Sequence, residues 1–417
     1  MSTFVRRTRI AAPAEEVFRW HARPGAFERL VPPWERVEVL ARSGGIDAGA
    51  RATVRTSHGE WVAEHTEYRE GRMFKDVQRQ GPFKRWEHTH LFEPDGDGCF
   101  LEDRIEYELP FGGALVARSI ERRLERAFTW RHAVTATDVA AHRGVRPLKI
   151  AVTGASGLVG TALVPLLTGG GHEVARIRRG EAPAEGVEVV VHLAGEPVAQ
   201  RWNDEVKRRI RESRVDATRE LVRRLPKSVK TFVSASAIGI FGSRGDETLT
   251  EDSAPGQDFL SEVCRGWEAA AAEAPGRSVS TRFGMVLSPK GGALKKMLTP
   301  FRMGAGGRLG SGRQWLSWLT IEDAIGMLYH AILTEGLSGP VNAVAGAVTN
   351  REFTKALGRA LRRPTIFPMP GFAARLAFGQ IADALLLASQ RVEPTRLKAA
   401  GYAFRHLDLS AGLAAIL

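Results

Sequence analysis

Seven consecutive residues, Gly154-Ala155-Ser156-Gly157-Leu158-Val159-Gly160, carry the densest chemical signal in the chain. They follow a strand-like run, Leu148–Thr153, and open straight into a helix pattern. A strand that stops at a glycine-rich turn and feeds a helix aims backbone N–H groups and the positive helix end at one point, where a pyrophosphate fits. The glycines keep the turn tight, let a phosphate approach the backbone and let helix pack on strand. Three further stretches fall into line with such a dinucleotide site. The next strand ends Arg176-Ile177-Arg178-Arg179, where a carboxylate would hold the ribose hydroxyls of NAD. Arginines there suit a 2′-phosphate, so NADP is expected, with NAD as the alternative cofactor; the bland reading is a basic surface turn. The run His192-Leu193-Ala194-Gly195-Glu196 places small residues at a strand's carboxyl end, leaving room for a dinucleotide to cross. Ser234 and Ser236 put hydroxyls in the same row on the strand after it.

The elements that must position these residues alternate as a parallel doubly wound α/β sheet requires. Strands are expected at 148–153, 173–178, 187–193, 230–236, 278–287 and 340–343, with helix patterns between. Only seven residues separate Arg179 from Val187, too few for a strand, helix and crossover, so the third strand of the usual fold is expected to be missing. From Thr349 on the chain reads as helical, broken by prolines at 364–370.

At 417 residues the chain is long for one core. Residues 1–140 read as a separate α+β module: a strand, a helix from Ala12 to Trp20, six β-rich pieces (36–41, 51–56, 60–68, 73–80, 84–93 and 99–108), then a long helix from Ala114 to about Val134. The expected division is 1–140, a linker at 141–147, a Rossmann-type domain at 148–345 and a small C-terminal region at 346–417. Composition agrees with a soluble globular protein, 43% hydrophobic and 25% charged. The net charge of +12 comes mainly from arginine, interleaved with acids as in 203–213, which argues for solvated helix faces and against a nucleic-acid partner. Two cysteines, Cys99 and Cys264, give neither a disulfide framework nor a metal spacing. The apolar stretch 371–388 is interrupted by Arg375, Gln380 and Asp383, so no membrane span is expected and a cytoplasmic address is consistent. A homodimer is left open.

The motifs Gly154–Gly160, His192–Val198, Ser234–Gly242 and Asp258–Glu268, with Gly304–Trp315, Ser317–Asp323, Leu386–Pro394 and Leu397–Tyr402, resemble the atypical short-chain dehydrogenase/reductases, of the NAD-dependent epimerase/dehydratase type. The resemblance covers 148–417 and implies an NADP-dependent oxidoreductase or nucleoside-sugar epimerase with a catalytic Tyr, Lys and Ser. The serine position matches Ser236. The tyrosine and lysine positions fall on Leu260 and Cys264, and Phe241 stands where a tyrosine often sits. This departure leaves two readings open: an enzyme using another acid (Glu196, Asp246, Glu247 or Asp323), or a catalytically silent NADP sensor. On the substrate side, Gln314, Trp315, Trp318 and Glu196 are the candidates, the aromatics for stacking; a packed connector is the alternative.

Residues 3–138 resemble the polyketide cyclase/START-like superfamily through His21–Trp34, Gly81–Phe83, Trp86–His90 and Tyr107–Pro110. That resemblance implies a helix-grip fold enclosing a cavity for a hydrophobic ligand. His21, Trp34, Asp76, His88, His90 and Asp103 form a polar-aromatic set there. His88 and His90 share one face of a strand. With Asp76 or His21 they could line a cavity or bind a metal; lacking a sure third ligand, they are expected to be hydrogen-bonded wall residues, with no metal.

Overall fold

The computed structural model describes residues 1–110 and 116–417, which fall into two compact units: 1–147 with 165–172, and 148–164 with 173–417. In the first unit, β1 (Ser2–Ile10), α1 (Ala14–Ala22) and α2 (Ala26–Arg29) precede β2 (Glu38–Ser43), β3 (Arg51–Thr56), β4 (Gly59–Arg69), β5 (Met73–Gln80), β6 (Arg85–Asp95), β7 (Gly98–Glu108) and a long α3 (Ala117–His142). The sheet is antiparallel, in the order β1-β7-β6-β5-β4-β3-β2. Its inner face follows the period of two: Trp86, His88, His90 and Phe92 on β6, and Cys99, Leu101, Asp103, Ile105 and Tyr107 on β7, are buried. On α3 the buried residues Phe128, His132, Thr135, Val139 and His142 recur at helical spacing. This is the helix-grip arrangement.

The sequence places the end of that helix near Val134, but α3 runs on to His142 and takes up the start of the expected linker. Burial explains the extension. Asp138 is fully buried and its carboxylate receives both arms of the Arg29 guanidinium, at 2.7 and 2.9 Å. The expected first residues of the helix, Ala114 and Leu115, lie outside the described residues.

The second unit is built on β8 (Lys149–Thr153), the first part of α4 (Leu158–Gly169), β9 (Glu173–Ile177), β10 (Val189–His192), α5 (Asp204–Glu212), α6 (Val215–Arg223), β11 (Thr231–Ala237), β12 (Thr248–Leu249), α7 (Phe259–Ala272), β13 (Arg277–Phe283), β14 (Met285–Leu287), α8 (Gly292–Arg302), β15 (Trp315–Thr320), α9 (Ile321–Leu333) and β16 (Gly339–Ala343). It closes with β17 (Gly346–Thr349), α10 (Asn350–Leu361), α11 (Gly371–Phe378), β18 (Arg391–Val392), α12 (Thr395–Ala399) and α13 (Leu409–Ile416). The main sheet is parallel, in the order β16-β13-β11-β10-β8-β9. Residues 150–153 and 189–192 are all buried, as strands covered on both faces must be. Successive strands lie on opposite sides of β8, so the order reverses there and a crevice opens at its carboxyl end. The segment 178–188 contains neither helix nor strand, and β9 is the sheet edge, as its shortness demands.

One expected strand, 278–287, is two. It breaks at Gly284, where a Cβ would lie 2.7 Å from the Ser317 carbonyl oxygen, and β14 leaves the main sheet to pair with β15 beside β17. Among the described residues no helix is long and apolar enough to cross a membrane.

Removing one partner of a buried ion pair strands the other. Asp138→Ala is therefore expected to cost about 3–5 kcal/mol, read as a lowered urea midpoint for the first unit by tryptophan fluorescence.

Candidate functional site

The crevice is shaped by backbone. Gly154 has φ +67°, and a Cβ on it would sit 2.6–2.7 Å from the backbone of Leu193 and Ala194. Gly160 is closed in from the other side: a Cβ there would lie 2.3 Å from the Gly154 carbonyl oxygen. Glycine at both positions lets the loop wrap the end of β8 and brings α4 down on it. Gly157 donates its N–H back to Gly154, while Ser156 and Gly157 themselves are exposed at the start of α4, followed by half-buried Leu158 and Val159. Opposite them, Leu193 and Ala194 are half-buried and Gly195 exposed. Arg178 and Arg179 stand exposed beyond β9, with no ion pair to a carboxylate among the described residues.

Under this rim His192 is buried between two threonines, its Nδ1 2.7 Å from Thr153 Oγ1 and its Nε2 3.0 Å from Thr218 Oγ1. Burial, then the positive charge of Arg214, lowers its pKa to about 4, so the ring is a neutral strut between β8, β10 and α6. Ser234 is also buried, its hydroxyl bonded to the Ala235 carbonyl.

The positions that should carry proton transfer are apolar. Leu260 and Cys264 lie buried on α7, and Phe241 is buried beside Cys264. Burial, followed by the nearby Glu268 carboxylate, pushes the Cys264 thiol up to about 12, so it stays protonated. The Ser236 hydroxyl donates to Glu268 Oε1 at 2.6 Å, and Glu268 in turn receives both arms of Arg282 at 2.8 Å. Of the alternative acids, Asp323 is fully buried and accepts backbone N–H groups from Arg405 and His406; Glu247 pairs with Arg244; Asp246 accepts the indole N–H of Trp315 at 2.8 Å. Glu196 follows the crevice residue Gly195, its backbone N–H held by Ser213 Oγ and its carboxylate accepting from Gln200 Nε2 at 3.3 Å.

Two of the expected substrate-side residues, Trp318 and Gln314, are buried. Trp318 is 1% exposed, a core residue packed over Gly346, and has no face left for a ligand. Gln314 is buried with its amide given to the Leu309 and Leu386 carbonyls. Trp315 remains half-buried, its ring capped by Arg391. The 386–394 motif is a latch: Gln390 donates to the Ile238 and Gly242 carbonyls, and Ser389 to that of Gly245, fixing the loop after β11.

One residue was missed. Arg214, between α5 and α6, packs its guanidinium behind Gly195, where a Cβ would be 3.2 Å from its Cζ, and 5.1 Å from the Trp267 ring centre. Among the described residues it donates only to the Ile210 carbonyl and, at 3.5 Å, to Ser213 Oγ. No carboxylate lies within ion-pair distance among the described residues, and burial lowers its pKa. The sequence hid it in a run of solvated arginines; its neighbour Ser213, at the end of the α5 pattern, was the available signal.

In the first unit, a cavity of about 720 Å³ is lined by Trp61, Trp86, Phe74, Phe83 and Phe128, among others, and by His21, His65, Asp76, His88 and His90. At its wall Asp103 takes His88 Nε2 at 2.8 Å and His132 Nε2 at 2.5 Å. Burial would raise the Asp103 carboxyl, but the imidazoles of His90, His132 and His88 hold it well below its usual range. His21 bonds the Val17 carbonyl, and Trp34 lies apart, stacked under Arg126 at 3.7 Å.

Fold and crevice define the second unit as a Rossmann-type dinucleotide-binding domain, and the first as a helix-grip domain. Residues 150–343 match the NAD dependent epimerase/dehydratase family, 10–133 the polyketide cyclase / dehydrase and lipid transport family, and 369–416 a domain family of unknown function, DUF1731. The chain is 41% identical to the epimerase family protein Mb2239 of Mycobacterium bovis over 289 residues, 63% of this chain and 96% of that protein. Its structure is similar to that of a nucleoside-diphosphate sugar epimerase from Corynebacterium glutamicum, with a TM-score of 0.81 and 34% identity over 99% of this chain and 90% of the other. It also resembles human epimerase family protein SDR39U1 with NADPH (TM-score 0.61, 34% identity, 64% of this chain and 98% of that one). The chain belongs to the epimerase family.

Because the native His192 ring protonates only near pH 4 and an unfolded one near 6.5, its contribution is whole above pH 6.5 and is lost as pH falls toward 4. The thermal midpoint of the second unit should drop between pH 7 and 4.5. In His192→Asn, whose amide is neutral throughout, that drop should be shallower by calorimetry.

Proposed function

We propose that the second unit binds NADP(H) across the carboxyl ends of β8 and β10 and acts as an NADP-dependent oxidoreductase or nucleoside-sugar epimerase-type enzyme, and that the first unit holds a hydrophobic small molecule in its cavity. The turn at Gly154 carries the cofactor half. Its two closest glycines admit no side chain, and Ser156 and Gly157 stand exposed at the start of a helix, whose positive end attracts a phosphate. Arg178 and Arg179 are free to receive a 2′-phosphate, and the NADPH named with the human relative supports the same choice.

A bound nicotinamide supplies hydride transfer. The chain's own residues must then position substrate and stabilise charge. With Leu260 and Cys264 in place of the Tyr–Lys pair, Arg214 is the fixed cation of this crevice. Arg214 is half-buried, and a partly desolvated guanidinium without a carboxylate in ion-pair reach is less favourable than one in water. Such a charge is repaid by an anion: a substrate phosphate or carboxylate, or an oxyanion forming at a carbonyl.

A second reading, an NADP-binding sensor without turnover, is favoured by the Ser236 hydroxyl being committed to Glu268. NADPH oxidation over a panel of carbonyl and sugar-nucleotide compounds separates the two. Turnover lost in Arg214→Met, with NADPH affinity kept within a few-fold, supports the enzyme; tight binding with no turnover on any compound supports the sensor. Arg214→Met should also raise the thermal midpoint of the ligand-free protein, since it removes an uncompensated charge.

Cofactor choice is tested by calorimetry. Gly154→Val should abolish NADPH binding. The double change Arg178→Ala with Arg179→Ala should weaken NADPH by about 10–100-fold, the worth of a charge-assisted hydrogen bond, while leaving NADH affinity nearly unchanged. Equal losses for both nucleotides would remove the 2′-phosphate from the argument.

A further inference from the structure

The wall of the first unit's cavity holds a group of donors that the dinucleotide chemistry does not use. His88 and His90, two apart on β6, turn their rings to the same face, and Asp76 sits across from His88 in the register of β5. One nitrogen of each imidazole is occupied by a single carboxylate oxygen. Asp103 Oδ1 lies 2.8 Å from His88 Nε2 and 2.6 Å from His90 Nδ1, the latter off the hydrogen-bond axis. Asp103 is fixed from behind by His132, which is itself held by Thr8. The two remaining nitrogens, His88 Nδ1 and His90 Nε2, are thereby turned toward Asp76.

Asp76 does not close on them. Its Oδ1 stands 3.6 Å from His88 Nδ1 and 3.8 Å from His90 Nε2. Those separations are too long for hydrogen bonds. They suit three ligand atoms around one ion: donors bound at about 2.0–2.2 Å in a tetrahedral set lie roughly 3.3–3.6 Å apart. All three donor atoms fall within 4.8 Å of one another. His65, paired with Asp76 in the register of β4 and β5, lines the same wall, and its buried Nδ1 has no hydrogen-bond partner.

We propose that Asp76, His88 and His90 form a mononuclear site for a divalent transition-metal ion, with Asp103 as the carboxylate that orients both histidines. Two imidazoles and one carboxylate are the donor set of zinc and non-haem iron sites that keep open positions. A carboxylate gripping the far nitrogen of each metal-binding histidine is the arrangement that fixes tautomer and raises ligand basicity. The open positions face the apolar cavity, so the ion would take an oxygen donor, such as a carboxylate or carbonyl, from a hydrophobic guest. This site is independent of nucleotide binding in the second unit.

The full chain, stripped with chelator, is titrated with Zn²⁺ by calorimetry and with Co²⁺ by visible absorption. One equivalent is expected, with ligand-field bands that Zn²⁺ abolishes. Asp76→Asn and His90→Gln should lose that equivalent, with circular dichroism and NADPH binding serving as checks on folding. Asp103→Asn, which touches no ion, should weaken Zn²⁺ by about 10–100-fold, as loss of a carboxylate behind a histidine does. Asp76 makes no close hydrogen bond, so Asp76→Asn tests the site even where His90→Gln does not fold. Failure of the folded wild-type protein to bind either ion overturns the proposal, as does binding that Asp76→Asn leaves intact.

Discussion

The second unit depends on how closely two backbones approach at the end of β8. Gly154 turns through φ +67° with the Leu193–Ala194 peptide lying where a side chain would begin. That contact sets the depth of the crevice. It puts the N-terminus of α4 and the small residues after β10 on facing walls. Any larger residue at 154 would push the loop off β10 and widen the gap. The neutral His192 strut, bridging Thr153 and Thr218 just below, holds the same two strand ends together by hydrogen bonds. Cleft geometry here is a matter of main chain and buried polar contacts, and it survives the loss of side chains that usually work in such a cleft.

That separation between scaffold and machinery explains the departures at 260 and 264. Leu260 and Cys264 pack against the turn after β11, near Gly239, and contribute apolar burial where a phenol and an ammonium would need solvation or partners. Arg214 reaches the same region from the α5–α6 junction, where burial lowers its pKa and the more distant Glu196 carboxylate opposes that shift. A lysine next to a tyrosine lowers the pKa of a proton donor. An arginine next to a glycine wall cannot exchange protons near neutral pH, and is suited to holding charge in place.

Much of this was legible in the sequence, because period and punctuation are local. The Gly154 loop, the strand edges at 51–56 and 73–80, and the missing third strand follow from hydrophobic runs, glycines and a count of residues. The misses share a cause. The end of α3 is decided by Asp138, which looks like a solvated helix acid until Arg29, more than a hundred positions away, is found against it. Trp318 reads as a stacking platform because aromatic residues near a glycine-rich loop suggest a ligand, whereas its environment is set by β17 and α13. Arg214 reads as one more surface arginine. In each case the deciding contact is long-range, and composition carries no trace of it.

The polar cluster of the first unit follows a different logic. An apolar cavity wall gains nothing from imidazoles and carboxylates unless every donor and acceptor is satisfied, since an unpaired buried polar group costs about 1–3 kcal/mol. Asp103 meets that demand: both of its oxygens are engaged, and His132 and Thr8 extend the chain of contacts to α3 and β1. His65 Nδ1 has no partner, Asp76 stands 3.6 and 3.8 Å from the two histidine nitrogens that face it, and both residues line the cavity. A network anchored on its outer side and incomplete on the side facing the guest is what a binding site requires, because the outer contacts hold the rings and the inner atoms are kept for whatever enters. A purely structural network would have closed the gap at Asp76 by a hydrogen bond, for which a shift of well under 1 Å would suffice.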